Sequence, residues 1–295
     1  MHSFLVSVLV FFLLPFIQAE VVSSFDKCNE FFLNGEPPLI GGELENNYKM
    51  ICQKYKGAYR FATFYDISKR IPVFSAYKYT GRGKGRPHIP WMIEPQLETL
   101  GAEMGPPCTN QAAPGDYYCQ KELNRGHLFP NSHAGNSDIA ESTFTLTNTV
   151  PQVETFNNGS WLRMEQSVSD YMDSNCRDQN NQTSAYVITG AVPHSSRAPL
   201  NKRINIPSHM WTAFCCFHKD TQTWVSQAHW AENKNETSDD VTIPTKTLQR
   251  LQQFLQKKYN REIKIFNNDC SGSRHPMIWP IKHWALRKRI QKNKK

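Results

Sequence analysis

The sequence predicts an α+β fold, and three observations carry that prediction. Short runs rich in aromatic and β-branched residues at 60–66, 73–79, 185–192, 210–217 and 223–230 read as strands. Between Pro244 and Tyr259, Leu248, Leu251, Leu255 and Tyr259 recur at helical spacing. Helices and strands follow one another without the regular alternation of a parallel βαβ architecture. Length and composition allow one large domain. The chain has 295 residues, 39% of them hydrophobic and 12% aromatic, which supplies a sizeable core and argues against wholesale disorder. Gly 15 and Pro 18 exclude collagen-like and low-complexity architectures.

Taken in chain order, the first element is Phe4 to Ile17, an almost wholly apolar run of 14 residues. It is too short to cross about 30 Å of hydrocarbon. With Ala19 as the small residue at its end it reads as a secretory signal peptide over 1–19, and secretion is the expected localisation. No later stretch approaches the length of a transmembrane segment. Arg60–Asp66 and Val73–Tyr79 then read as two strands around the turn Ser68-Lys69-Arg70. Thr80–Pro87 is a Gly-rich basic loop whose glycines lack dinucleotide or Walker spacing. After Phe156, the stripe Trp161, Met164, Val168, Tyr171 and Met172 marks a helix, with Pro151 in a loop before it and Asn157 at or near its N-cap.

Secretion sets the reading of the eight cysteines, Cys28, Cys52, Cys108, Cys119, Cys176, Cys215, Cys216 and Cys270. All are candidates for disulfides in an oxidising compartment. Adjacent Cys215 and Cys216 point to opposite faces of a strand and therefore take different partners. Cys108 and Cys119 flank a Pro-Gly loop and are placed to pair locally. No C-x-x-C favours zinc or thiol redox chemistry, and no G-x-S-x-G favours a hydrolase triad. Glycosylation acceptors stand at Asn158, Asn181 and Asn235. A glycan at Asn158 would crowd the site described next, so Asn181 and Asn235 are the expected modified positions.

The chemistry concentrates between residues 124 and 165. Asn124-Arg125-Gly126-His127 is followed by Asn148, Pro151-Gln152, Asn157, Trp161 and Glu165. Asn157 and Glu165 lie eight residues apart, a little over two helical turns. An amide carbonyl and a carboxylate without a Cys or His cluster suit a hard cation such as Mg²⁺. A histidine, with an ordinary pKa of about 6.5, is suited to taking a proton from water. Arg125 has the fork geometry to hold phosphate oxygens. His133, His194, His209, His218, His229, His275 and His283 have no such context and are expected to be ordinary packing or surface residues.

At these positions the sequence resembles the DNA/RNA non-specific endonuclease family, which includes secreted bacterial nucleases and mitochondrial endonuclease G. The family pattern D-R-G-H, N-x-x-P-Q and N-x-x-x-W-x-x-[LM]-E stands here as N-R-G-H at 124–127, N-T-V-P-Q at 148–152 and N-N-G-S-W-L-R-M-E at 157–165. C-N-E-F-F at 28–32, R-F-A-T-F-Y at 60–65, R-I-P-V-F-S-A at 70–76 and T-F-T-L-T-N at 143–148 resemble a secretory, vertebrate-type branch of it. V-I-T-G at 187–190 resembles a core strand and its turn.

The resemblance implies a ββα-metal (His-Me finger) nuclease fold, with a central antiparallel sheet flanked by helices and spanning residues 20–270. His127 would sit on a strand and Asn157 at the following helix. His127 is then the general base, Asn157 the direct protein ligand of Mg²⁺ (or Mn²⁺ in its place), and Glu165 a ligand through water. Arg125 supports the phosphate or the charge balance of the site, and an upstream Arg contacts the phosphate. Arg86 is the candidate for that contact and Arg82 the alternative. Asn124 and Asn148 are expected to touch substrate, which would be DNA, RNA or both. The expected ends are 5′-phosphates.

One departure from the pattern is Asn124, where the family has Asp. It keeps hydrogen-bonding geometry but not charge. It motivates the rival reading, a nuclease-like binding protein with weak or no turnover. The formal net charge is +8, but Lys282–Lys295 alone carries seven basic residues and no acidic one. Removing those seven from 34 leaves 27 basic residues against 26 acidic. The charge therefore belongs to a basic tail within 271–295, expected to contact polyanions, and not to the domain surface.

Overall fold

The structure, a computed structural model, describes residues 20–40, 46–83, 85–98, 108–118, 121–266 and 270. The expected signal segment 1–19, Cys119 and the basic tail 271–295 lie outside the described residues.

In chain order the strands are β1 (Glu20–Val22), β2 (Leu39–Ile40), β3 (Tyr48–Tyr55), β4 (Ala58–Asp66), β5 (Ile71–Tyr79), β6 (Leu123–His127), β7 (Thr149–Val153), β8 (Ala185–Val192), β9 (His209–His218), β10 (Thr223–Glu232) and β11 (Ile263–Lys264). The helices are α1 (Ser137–Ser142), α2 (Glu154–Phe156), α3 (Leu162–Asn175) and α4 (Leu248–Tyr259). Seven strands form one antiparallel sheet in the order β1-β3-β4-β5-β8-β9-β10. β6 and β7 pair separately as an antiparallel ribbon, and β2 pairs with β11. This is the expected α+β architecture with a central antiparallel sheet flanked by helices.

The turn between β4 and β5 falls where the sequence places it. The Asp66 carboxylate accepts from Ser68 N (2.8 Å), Ser68 Oγ (2.6 Å) and Lys69 N (2.9 Å), and so closes the turn from a side chain. β3 has no counterpart in the sequence reading. Its alternation is broken by Gln53, which is 2% exposed and donates to Thr147 Oγ1 at 2.9 Å. β8 runs through Gly190, which pairs with Phe74 and Trp211, so V-I-T-G lies within one strand and makes no turn there.

Register gives the two sheet faces different compositions. One rung runs Cys52, Ala62, Ala76, Ile188, Ala213, Ala228. The neighbouring rung, on the opposite face, runs Thr63, Ser75, Thr189, Thr212. The first face packs on the N-terminal segment and on Leu248, Leu251 and Leu255 of α4. The second packs on α3 and the β6–β7 ribbon through Met164, Val168, Met172, Leu128 and Val150. α4 starts at the first residue of its apolar spacing, Leu248, where Thr247 caps it by accepting from Arg250 N at 3.2 Å.

Three disulfides join Cys28 to Cys52, Cys176 to Cys216 and Cys215 to Cys270. Adjacent Cys215 and Cys216 do take partners on opposite faces, as strand periodicity requires. Cys108 is buried and has no disulfide partner among the described residues. Its expected partner, Cys119, lies outside them.

Candidate active site

The β6–β7 ribbon crosses the second face and presents Asn124, Arg125 and His127 to a cleft of about 460 Å³. The cleft is also lined by Arg86, Trp91, Asn157, Asn158, Leu162 and Glu165. Residues from three separate stretches of chain therefore meet in one depression. Pro151, expected in a loop, instead lies within β7 opposite Arg125.

Asn148 is the exception among the expected substrate contacts. It is 0% exposed and does not line the cleft. Its Oδ1 accepts from Phe129 N (3.0 Å) and Ser75 Oγ (2.9 Å), while its Nδ2 donates to Phe129 O (3.1 Å) and Thr143 O (3.0 Å). All four of its hydrogen bonds are spent inside the protein. The side chain fastens the connection between β6 and β7 onto β5, and no capacity remains for substrate.

His127 sits between Trp91, with ring centroids 5.1 Å apart, and Phe144 at 5.0 Å edge-on. Its Nε2 is buried with no protein partner. Burial first, and the Arg86 guanidinium second, hold its pKa down to about 3, so the ring is a neutral acceptor at physiological pH. Arg125 is held between the rings of Tyr117 (5.0 Å) and Trp91 (5.5 Å) and donates to Pro114 O at 3.1 Å. Its Nε is buried without a partner, and burial lowers its pKa. Among the described residues no carboxylate pairs with it.

The Gly-rich loop delivers Arg86. Gly83 N donates to Ser132 O at 3.1 Å, and a Cβ at Gly83 would overlap the carbonyl oxygens of Asn131 and Ala134. Only glycine lets this loop lie so close to the segment after β6. Arg86 then reaches the cleft with its guanidinium 4.9 Å from the Phe144 ring. Arg82, the alternative, is turned away onto α3, where it pairs with Asp170 and with Asp173 at 3.1 Å.

Asn157 is not a helix N-cap. The helical path begins three residues earlier with α2 and widens into a π turn over Asn157–Trp161 before α3. Glu165 follows in the first turn of α3, and its Oε1 accepts from Trp161 Nε1 at 2.8 Å. Burial raises its carboxyl to about 8, against the opposing effect of the Trp161 bond. No charged side chain acts on this carboxyl, so its ionised form would favour a cation beside it. The donor set here is oxygen only, from an amide and a carboxyl. Among the described residues no group of three or more His, Cys, Asp or Glu forms a cage. Such a sparse hard-oxygen set fits one divalent cation that keeps most of its waters, as Mg²⁺ does.

Two neighbours escaped the sequence reading. His133, expected to be ordinary, is buried behind α3; its Nδ1 accepts from Tyr77 Oη at 2.9 Å and its Nε2 donates to the Glu165 carbonyl at 3.2 Å. Burial lowers its pKa to about 4 and keeps it neutral. Trp91, an isolated aromatic in a Pro-rich stretch without periodicity, walls both His127 and Arg125. Of the glycosylation acceptors, Asn158 is exposed at the cleft, while Asn181 and Asn235 are exposed away from it.

Comparison with known proteins bears on the family and the fold. The chain is 28% identical over 268 residues to the human endonuclease domain-containing 1 protein, covering 85% of this chain and 49% of that protein. It is 26% identical over 261 residues to the mouse protein of the same name, covering 84% and 48%. The chain thus spans about half the length of these curated relatives. A chain in a crystal structure of the EndoG/EndoGI complex shares the fold, with a TM-score of 0.51, 15% identity, and coverage of 75% of this chain and 86% of that one. Residues 46–261, well over half the sequence and including the whole 124–165 constellation, match one family pattern, so the chain belongs to the DNA/RNA non-specific endonuclease family.

Proposed function

We propose that this chain is a secreted, Mg²⁺-dependent nuclease that hydrolyses phosphodiester bonds of DNA or RNA without sequence preference. The single observation that carries the reading is the cleft itself, which gathers His127, Asn157, Glu165, Arg86 and Arg125 from distant stretches of chain. His127 takes the proton from the attacking water through its unpartnered Nε2. Arg86 and Arg125 hold the phosphate oxygens. A phosphate seated against Arg86 would offset the smaller of the two effects that lower the imidazole, with burial, the larger, still in place. Asn157 would hold the cation directly and Glu165 through water. The bound cation would supply electrostatic stabilisation of the leaving oxygen. A route through an oxidising compartment is supported by the three disulfides. No helix among the described residues is long and apolar enough to cross a membrane.

Purified protein should nick and degrade plasmid DNA in Mg²⁺ and stop on addition of EDTA. His127→Ala should slow cleavage by about 10²-fold or more, the low end for loss of a general base. Unchanged cleavage in that variant would overturn the mechanism.

A second reading is favoured by one observation: Asn124, not a carboxylate, lines the cleft beside His127. A site short of that charge would bind nucleic acid with weak turnover, with polyanion contact through the basic tail. Asn124→Asp separates the two, because it should raise cleavage by a weakened enzyme and leave a pure binding protein without activity.

A further inference from the structure

Past the end of β10, the chain from Asn233 to Glu236 runs beside the segment that carries Asn157 and is fastened to it along its length. Asn233 Oδ1 accepts from Val153 N at 2.8 Å, and its Nδ2 donates to Pro151 O at 3.0 Å. Thr155 Oγ1 donates to Asn235 Oδ1 at 2.6 Å and accepts from Glu236 N at 2.9 Å. The strap ends on the π turn. Ser160 N donates to one oxygen of the Glu236 carboxylate at 2.9 Å, and Ser160 Oγ donates to the other.

That last pair of bonds sits where the helical path is irregular. In a regular α-helix the N–H of residue 160 would point to the carbonyl of residue 156; here Glu236 takes it from outside the helix. Gly159 leaves helical geometry at φ −98°, ψ −117°, and a Cβ there would overlap the Glu236 carboxylate. The π turn, the glycine and the external carboxylate therefore form one device, and Asn157 is the first residue of that turn. Single π turns inside α-helices are frequent at functional sites because the inserted residue re-aims its neighbours.

We propose that Glu236 is a positioning residue: by bracing Ser160 it fixes the π turn, and through that turn it sets where the Asn157 side chain stands in the cleft and how tightly a hard divalent cation is held there. The inference rests on the reading of Asn157 as a cation ligand. Glu236 does not line the cleft, so it acts only through the turn. Groups that orient a ligand without touching the ion are typically worth about 10- to 100-fold in metal affinity or activity.

The test is Mn²⁺ uptake by the full chain, followed by the EPR signal of free Mn²⁺, with thermal melting alongside. Glu236→Ala should weaken Mn²⁺ binding by about 10-fold or more. Glu236→Gln should recover most of it, since an amide accepts from Ser160 N and donates to Ser160 Oγ. If the wild-type chain binds Mn²⁺ and Glu236→Ala binds it equally well, the positioning role is overturned while the metal site stands. If the wild-type chain takes up no more Mn²⁺ than Asn157→Ala, the metal site fails and the inference fails with it. Should Glu236→Ala lose its cooperative melt, Ser160→Ala decides instead. It deletes one of the two bonds and should weaken binding by a smaller factor, and unchanged affinity there overturns the role.

Discussion

On one face of the sheet, the rung Cys52–Ala62–Ala76–Ile188–Ala213–Ala228 meets α4 and the N-terminal segment, and disulfides from Cys28 and Cys270 close over it. On the other face, one residue along each strand, the rung is Thr63–Ser75–Thr189–Thr212. Its hydroxyls bond across the sheet, Thr63 to Ser75 at 3.3 Å and Thr189 to Thr212 at 2.8 Å, and Ser75 continues into the Asn148 clamp. Both faces are buried, but they hold their layers differently. The first depends on apolar area, which is non-directional. The second adds to its apolar packing a set of hydrogen bonds, which fix direction and so fix where the β6–β7 ribbon and its histidine stand. The unpartnered Nε2 of His127 and Nε of Arg125 lie on this second face.

The disulfides give the largest expected effect and the sharpest contrast. Cys215–Cys270 and Cys176–Cys216 close loops of 55 and 40 residues, so loop-closure entropy assigns each about 4 kcal/mol. They leave β9 from adjacent residues toward opposite faces. Replacing both members of either pair by Ala should lower the urea midpoint similarly. Cleavage by folded protein should survive loss of Cys215–Cys270. Loss of Cys176–Cys216, which ties the end of α3 to β9, should impair it. Equal activity in the two variants would dissolve the distinction between a scaffold face and a site face.

Glu94 tests the hydrogen-bonded face alone. It is 0% exposed; its Oε1 accepts from Thr145 Oγ1 (3.0 Å) and Thr147 Oγ1 (3.2 Å), and its Oε2 has no partner. Burial raises its carboxyl from 4.5 to about 7. Folding therefore favours the protonated form. This contribution is complete below about 4.5 and is lost as pH rises through about 7, above which the buried carboxylate costs about 3 kcal/mol. Glu94→Gln stays neutral throughout. Relative to wild type, it should gain up to about that amount between pH 5 and pH 8 in urea unfolding. A difference that does not move with pH would mean the carboxyl is not desolvated in the folded chain.

The same contrast explains what the sequence made legible. Strands β4, β5, β8, β9 and β10 were readable because they are short runs rich in aromatic, apolar and β-branched residues. β3 was not, because Gln53 is inward-facing and polar, and its hydrogen bonds to Thr63 and to the distant Thr147 make that tolerable. The cleft residues were readable as a set of chemical types at family spacing. Their supports were not. Asn148 carries the same side chain whether it faces substrate or, as here, clamps a loop. His133 and Glu236 matter through bonds to residues 32 and 76 positions away, which no local pattern encodes.

The two loop arginines give the smallest effects and divide the site face itself. Arg82 and Arg86 share one Gly-rich loop four residues apart, and sequence alone left their roles exchangeable. Arg86 stands in the cleft against Phe144 and its charge acts on His127. Arg86→Ala should therefore cost about 10²-fold in cleavage, as loss of one preorganised donor to the reacting group does, with little change in melting. Arg82 is spent on two carboxylates of α3, the exposed Asp170 and the half-buried Asp173. Arg82→Ala should cost at most about 1 kcal/mol of stability, the range of exposed ion pairs, and leave cleavage unchanged. A reversed pattern would mean that nucleic acid pulls Arg82 away from Asp170 and Asp173. The loop would then be a moving part of the site, and Gly83, packed against Ser132, would be the point about which it turns.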